Sequence, residues 1–139
     1  MLFVIRRRKL YGRENKIMDY LDNGMMIEQP NDAYHLTSDA VALAKFFDCK
    51  PTDIVIDIGC GTGILTLMIA DKAKKIFAID INESATQQTI ANVKLNKLSN
   101  VEVICADIKD THKIIRANTA DAVICNPPYF ETGKLPTND

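Results

Sequence analysis

The chain has 139 residues, of which 47% are hydrophobic and 25% charged, so we expect one folded domain and exclude an intrinsically disordered chain. No apolar run approaches the roughly 20 residues of a membrane-spanning helix, so we expect no membrane partner. The net charge of −1 hides an asymmetry, since residues 1–16 hold six Lys/Arg and one Glu whereas the rest of the chain is acidic.

The basic N-terminal tail allows two interpretations. A cluster of cations on an acidic body could hold a polyanion such as RNA. A short basic terminus can equally be solvated and frayed, and we favour this second interpretation.

Four cysteines, at positions 49, 60, 105 and 125, show no C-x-x-C spacing and no paired histidine. His35 and His112 also lack the spacing of metal ligands. We therefore expect no metal site, and we expect reduced thiols in a cytoplasmic protein.

Predicted helices and strands alternate from residue 36 onward. An apolar face with a cap at Thr37 or Ser38 predicts a first helix over 36–47. Apolar β-branched runs predict the strands, and Asn82 or Ser84 can cap the longest helix. The later predicted elements are, in chain order, a strand over 54–58, a glycine turn over 59–63, a helix over 64–73, a strand over 75–80, a helix over 82–96, a strand over 101–107, a short helix over 111–118 and a strand over 120–126.

This alternation predicts an α/β fold with a parallel sheet and right-handed crossovers. The strands are almost entirely apolar, as expected when helices cover both faces. Ligands of such sheets bind at the C-terminal edge, where the strand order switches. Each candidate functional residue lies at such an edge: Asp57 to Gly63, Asp80, Asp107, and Asn126 to Tyr129.

The glycine turn connects the first strand of the sheet to a helix. Its residues, with the strand end before them, are Asp57, Ile58, Gly59, Cys60, Gly61, Thr62 and Gly63. Glycine allows positive φ and a close approach of the backbone to a ligand. Ile64 stands where a dinucleotide fingerprint needs its third glycine, which disfavours a dinucleotide. A ligand-binding loop is therefore favoured over a tight turn alone.

Acidic residues follow the next two strands. Asp80 can accept hydrogen bonds from both hydroxyls of a ribose, and the alternative is an acid stabilised by the dipole of the following helix. Asp107 can accept a hydrogen bond from an adenine amino group, and the alternative is an ordinary loop aspartate.

The segment Asn126-Pro127-Pro128-Tyr129 stops the fourth strand of the sheet. Proline has a fixed φ and no N–H, and it pushes the preceding residue toward extended geometry. The result is a stiff, extended loop. It is either a simple strand terminator or a rigid mount for a side chain that takes part in chemistry.

Together these motifs resemble the class I S-adenosylmethionine-dependent methyltransferases. The N-P-P-Y variant resembles the amino-methylating branch, whose targets are adenine N6, cytosine N4 and glutamine N5. Upstream, Ile27-Glu28-Gln29 and the stretch from Asp39 to Ala44 are similar to a strand and a helix at the start of the bacterial tRNA(Val) adenine-N6 methyltransferase family. The similarity covers roughly residues 16–130.

The resemblance implies a Rossmann-like methyltransferase fold with strand order 3-2-1-4. It divides the chain into a basic tail and helical cap segment over 1–50 and the N-terminal part of a methyltransferase domain over 51–139. The C-terminal strands of the family's seven-stranded sheet are then absent, as in a shortened chain, a truncated gene product or an incomplete reading frame. The fourth strand would be an apolar edge through which the chain could self-associate.

The cofactor that the resemblance implies is S-adenosylmethionine. Besides the glycine turn, its implied binding residues are Asp39, Asp80, Ile81, Asp107 and Ile108. Asp39 could equally be an ordinary acid in the first turn of a helix.

The catalytic residues implied by the resemblance are those of N-P-P-Y. An exocyclic amine on an aromatic ring is a poor nucleophile because its lone pair is delocalised. The Asn126 side-chain oxygen and the Pro127 carbonyl would accept its protons and aim the lone pair at the methyl group. Pro128 would hold the loop still, and Tyr129 would stack on the base, a contact worth ~1–3 kcal/mol. The implied reaction is methylation of adenine N6 in tRNA.

Three other functions remain open. A glutamine-N5 protein methyltransferase shares N-P-P-Y but carries a longer helical N-terminal domain than the roughly fifty residues found here. A DNA adenine methyltransferase would usually have an extra recognition domain. A non-catalytic remnant would bind the cofactor, or nothing, and would pair through its open edge.

Overall fold

The computed structural model describes residues 16–30 and 38–127. The basic residues before position 16, His35, and Pro128 and Tyr129 of the N-P-P-Y segment lie outside the described residues. In chain order, the described elements are β1 Lys16–Tyr20, β2 Met26–Pro30, α1 Ser38–Phe46, β3 Ile54–Ile58, α2 Ile64–Ile69, β4 Lys75–Asp80, α3 Glu83–Leu95, β5 Val101–Cys105, a 3₁₀ helix Ile108–Lys113 and β6 Ala122–Cys125.

The strands β3 to β6 form a four-stranded sheet in the order β5-β4-β3-β6. Each of the three pairings is parallel. The predicted α/β fold and the predicted order, with the first strand of the sheet between the second and the fourth, are therefore confirmed. The strand order reverses between β3 and β6, which makes the C-terminal ends of these two strands the expected binding crevice.

The segment before the sheet is not uniformly helical. Lys16–Tyr20 and Met26–Pro30 pair as an antiparallel hairpin, so the predicted helical cap is wrong for residues 16–30 and applies only to α1. The strand expected at Ile27-Glu28-Gln29 is confirmed as part of β2. The predicted boundary at residue 50 stays a prediction.

Two predicted helices differ from those in the structure. The helix α2 ends at Ile69 and not at residue 73, and the Asn100 side chain donates hydrogen bonds to the carbonyls of Ala70 and Ala73 in the turn that follows. The helix predicted over 111–118 is wrong in place and type, because a 3₁₀ helix already begins at Ile108. Its cap is Asp107, whose side chain accepts a hydrogen bond from Lys109 N at 2.9 Å.

The hydrophobic core includes the hairpin. Ile27 of β2 is fully buried, in one cluster with residues of α1, α2 and the sheet. A smaller cluster, formed by Phe77, Ile79, Ile104 and Ile115, lies apart from it. Since full burial of an isoleucine stabilises a fold by about 1.5–3 kcal/mol, Ile27 holds the hairpin against the rest of the domain. Among the described helices, none has the length and apolar character required to cross a membrane.

Candidate functional site

The glycine loop, residues 59–63, lies at the C-terminal end of β3. Its three glycines have φ of +70° at Gly59, +57° at Gly61 and +93° at Gly63, a region that other residues rarely adopt. The amides of Gly59 and Cys60 both donate to the carbonyl of Ile79 in β4, at 2.8 and 3.0 Å. A Cβ atom built at Gly59 or Gly61 would meet no described atom within 4 Å, so the loop has open space beside its backbone.

Asp80 ends β4 beside this loop. Its Oδ2 accepts a hydrogen bond from Gly61 N at 2.8 Å, and its Oδ1 accepts one from Asn82 N at 2.9 Å. A carboxylate oxygen has two lone pairs, so each oxygen can accept a further bond from a ligand hydroxyl. The position fits the predicted ribose contact, which stays a prediction.

Two exposed isoleucines follow the acids at the ends of adjacent strands. Ile81 is 69% exposed after Asp80, and Ile108 is 52% exposed after Asp107. The ends of β4 and β5 are tied together by the bond from Ala106 N to Asp80 O at 3.0 Å. Apolar side chains beside polar acceptors are typical of a site for a flat ring, as predicted for adenine.

Asp57 lies beneath the glycine loop and not on its surface. The residue has no exposed area, and Thr66 Oγ1 donates to its Oδ2 at 2.6 Å. Its Oδ1 is buried without a hydrogen-bond partner among the described residues. Burial raises the pKa of this carboxyl to about 6, helped by repulsion from Asp80 and opposed by the bonds from Thr66. Because its side chain is buried, Asp57 could contribute to the predicted cofactor binding only by supporting the loop.

The side chain of Cys60 is buried as well. It is 7% exposed, with Sγ 3.8 Å from Thr89 Oγ1 on α3. Burial, with repulsion from Asp57, raises the pKa of this thiol to about 12, so it is neutral and a poor nucleophile. The predicted cofactor contact of Cys60, which only its backbone could make, stays a prediction.

Thr62 is held by Gln29, which the sequence analysis named only as part of a strand, and by Asn92, which it did not name. Gln29 Nε2 donates to Thr62 Oγ1 at 3.0 Å, and Asn92 Nδ2 donates to the Thr62 carbonyl at 2.9 Å. A third such residue, Thr89, donates through Oγ1 to Gly61 O at 2.8 Å. The available signal was the spacing of Thr89 and Asn92, which puts two polar side chains on one face of a helix.

Asn126 follows β6 directly beside the start of the glycine loop. Ile58 pairs with Cys125, so the next residues along the two parallel strands are Gly59 and Asn126. Neighbouring strands lie about 4.8 Å apart, which brings the backbone of Asn126 close to the loop. Asn126 is half-buried and Pro127 is exposed. These two residues therefore lie at the switch point, whereas Pro128 and Tyr129 are beyond the described part.

Asp39 lies in the first turn of α1 and is exposed. The helix packs against α2, and a contact of Asp39 with a cofactor stays a prediction. Over residues 16–30 and 38–127, no group of three His, Cys, Asp or Glu side chains could hold a metal ion.

Comparisons with known proteins identify the relatives of this arrangement. The sequence model of the family described as "Methyltransferase small domain" matches residues 35–138. A tRNA1(Val) (adenine(37)-N6)-methyltransferase of Shewanella halifaxensis is 34% identical over 100 residues, which cover 70% of this chain and 41% of that protein. A probable cobalt-precorrin-6B C(15)-methyltransferase (decarboxylating) of Methanococcus maripaludis is 42% identical over 71 residues, 51% of this chain and 39% of that protein.

Among solved structures, TYW2 of M. jannaschii in complex with AdoMet is similar to this chain, with a TM-score of 0.68 and 28% identity. The match covers 82% of this chain and 52% of that one. The chain thus spans about two fifths of the length of the two curated relatives and about half of the solved structure.

Proposed function

The chain belongs to the methyltransferase small domain family, and we propose that it binds S-adenosylmethionine over the glycine loop and transfers the methyl group to N6 of an adenine in tRNA. The family match supports the class of enzyme expected from the motifs, and the similarity to TYW2 in complex with AdoMet supports the cofactor. The observation that carries the proposal is the position of Asn126, on the strand next to the loop at the switch in strand order.

The described residues fit the cofactor. Open space beside Gly59 and Gly61 leaves room for a ligand against the backbone, and Asp80 offers acceptor oxygens for ribose hydroxyls. The exposed side chains of Ile81 and Ile108 offer an apolar surface for the adenine ring. When bound, S-adenosylmethionine supplies an electrophilic methyl group.

The N-P-P-Y segment suits a nitrogen target. Asn126 Oδ1 and the Pro127 carbonyl are two acceptors, matched to the two N–H groups of an exocyclic amine. With both protons held, the nitrogen becomes pyramidal, so its lone pair is no longer delocalised into the ring and can be directed at the methyl group. The precorrin relative is named for methylation of a carbon atom, which has no pair of N–H groups to donate to these two acceptors. Tyr129, by its position in the sequence, would stack on the base.

The choice of tRNA rests on the extent of similarity. The relative named for tRNA1(Val) adenine-37 matches 70% of this chain, whereas the precorrin relative matches 51% at higher identity. The longer match agrees with the upstream resemblance in Ile27-Glu28-Gln29 and in α1. A base within a stacked loop must be flipped out before transfer.

The experiment is radiolabelled methyl transfer from S-adenosylmethionine into unmodified bulk tRNA, DNA and release-factor protein, combined with calorimetry of cofactor binding. We expect label in tRNA, retained at adenine N6 after nuclease digestion. Asn126→Ala should abolish transfer and leave the cofactor Kd within a few fold. Asp110→Asn, on the exposed 3₁₀ helix, is the matched control and should change neither quantity.

Four results would contradict the proposal. Label in the release factor would assign glutamine N5, and label in DNA would assign a DNA enzyme. Absence of cofactor binding would indicate that the chain is a non-catalytic remnant. Unchanged transfer by Asn126→Ala would remove the role given to that side chain.

A further inference from the structure

The inner face of α3 carries an asparagine that bonds to two distant parts of the chain. Asn92 has no exposed surface. Its Oδ1 accepts from Glu28 N at 2.8 Å, and its Nδ2 donates to Glu28 O at 2.9 Å and to Thr62 O at 2.9 Å. The amide thus satisfies both backbone groups of a residue in β2, as a neighbouring strand would, and also reaches the glycine loop.

One turn later, Asn96 makes the same pair of bonds to the backbone of a β2 residue, but it has no bond to the glycine loop. Its Oδ1 accepts from Met26 N at 2.8 Å, and its Nδ2 donates to Met26 O at 2.6 Å. The second Nδ2 bond goes to Asn92 O at 2.8 Å, within α3. The two asparagines therefore clip the free edge of β2 to α3 in the same way, but only Asn92 contacts the loop.

The carbonyl that Asn92 holds belongs to the peptide group between Thr62 and Gly63. The N–H of the same peptide group donates to Cys60 O at 2.9 Å, so both ends of this group are bonded. Glycine loops have many accessible conformations, and a peptide group flanked by glycine can rotate readily when it is not held. Gln29 of β2 adds a bond to the Thr62 hydroxyl, which makes a second link from the hairpin to the loop.

We propose that Asn92 is a positioning residue for the methyl donor, because it fixes the Thr62–Gly63 peptide group and joins it to the β1–β2 hairpin. This inference rests on the proposed cofactor site. Without the bond to Thr62, the loop populates conformations that do not bind the donor. The apparent affinity for the donor then falls in proportion to the fraction of molecules that keep the binding-competent conformation. By reciprocity, donor binding stabilises the docked hairpin, although Glu28 is no part of the proposed donor site.

The test compares Asn92→Asp with Asn96→Asp. Aspartate keeps the shape of asparagine and the acceptor for the strand amide, but it loses both donated bonds. For Asn92→Asp we expect a rise of about tenfold in the donor Kd and KM, with kcat within twofold. For Asn96→Asp we expect a lower Tm and a donor Kd within twofold of the native value. A donor Kd of Asn92→Asp within twofold of the native value, measured well below the Tm of the variant, would overturn the proposal.

A measurement on the native chain keeps the test valid if Asn92→Asp does not fold. Amide hydrogen exchange is followed with and without S-adenosylmethionine. We expect the Glu28 amide to gain more protection than Ile104 in β5, since a purely global stabilisation would protect both equally. Equal gains at both amides would contradict the coupling. Asp80→Asn separates failure of the proposed donor site from failure of the coupling to the hairpin. If Asp80→Asn leaves donor binding intact, the proposed site is wrong. If Asp80→Asn weakens donor binding and Asn92→Asp does not, only the coupling is wrong.

Discussion

The Oδ2 atom of Asp80 accepts a hydrogen bond from Gly61 N at 2.8 Å, so the acid at the end of β4 is joined directly to the glycine loop after β3. This contact links two motifs that are separated in the sequence, and it gives Asp80 two tasks. The carboxylate shapes the loop and also presents free lone pairs at the crevice.

The first prediction concerns these two tasks. Asp80→Ala removes the acceptor for Gly61 N and the proposed acceptors for the ribose, so we expect the cofactor Kd to rise about hundredfold or more. Asp80→Asn keeps one acceptor oxygen for the loop and should raise the Kd about tenfold. Isothermal calorimetry measures both values. Equal affinities of the two variants and the native chain would exclude Asp80 from the site.

A second prediction distinguishes two glycines by the space around them. At Gly63 the φ is +93°, and a Cβ would lie 3.1 Å from Thr89 Cγ2, whereas at Gly59 the φ is +70° with open space. Gly59→Ala should lower the free energy of unfolding by about 1–2 kcal/mol through backbone strain alone. Gly63→Ala should lower it further, because the side chain also overlaps with Thr89.

Urea denaturation measures these free energies. Thr89→Ser removes Cγ2 and should recover part of the loss in Gly63→Ala, as judged by a double-mutant cycle. A Gly63→Ala variant no less stable than Gly59→Ala would contradict the role of packing at this position.

A third prediction follows from the buried carboxyl of Asp57. Its pKa in the folded chain is about 6, above the ordinary value of 3.8, so folding favours the protonated form. The stability that protonation provides is complete below about pH 4 and is lost as the pH rises through about 6, a change of about 3 kcal/mol. Denaturant unfolding from pH 4 to pH 8 measures it.

Asp57→Asn is the control for this titration, because the amide does not ionise. Other groups affect both proteins alike, so the difference in unfolding free energy between the native chain and Asp57→Asn isolates the carboxyl. As the pH rises from 4 to 7, the native chain should lose stability relative to Asp57→Asn. A pH-independent difference would show that Asp57 titrates with the same pKa in the folded and unfolded chain.

A fourth prediction concerns the start of α3, where the sequence allowed two caps. In the structure the Asn82 side chain accepts a hydrogen bond from Ala85 N at 3.1 Å, so Asn82 is the cap. Asn82→Ala should lower the free energy of unfolding by about 1 kcal/mol. Ser84→Ala, already within the helix, should change it by less than about 0.5 kcal/mol. Thermal denaturation of the two variants decides between the caps, and the reverse order would reassign the helix start.

Much of the sheet was predictable because its signals are local. Apolar β-branched runs marked the strands at Ile54–Ile58 and Lys75–Asp80, and glycine and proline marked their ends. The regular alternation of strands and helices then limits the topology to a parallel sheet, and the motifs at its strand ends identified the family. The 3₁₀ helix was missed because a six-residue polar stretch has no apolar period, and its start depends on a single cap by Asp107.

The sequence by itself determined the fold class and which residues gather at one edge of the sheet, because periodicity and turn residues act over a few positions of the chain. The strand order followed from the resemblance of its motifs to a known family. Only the tertiary structure decided that the side chains of Asp57 and Cys60 are buried and that Asn92 bonds to the loop from α3. Asn92 and Glu28 are 64 residues apart, so no local pattern relates them. A buried polar group must find its partner among whatever elements the completed fold brings beside it, and that choice is made by packing.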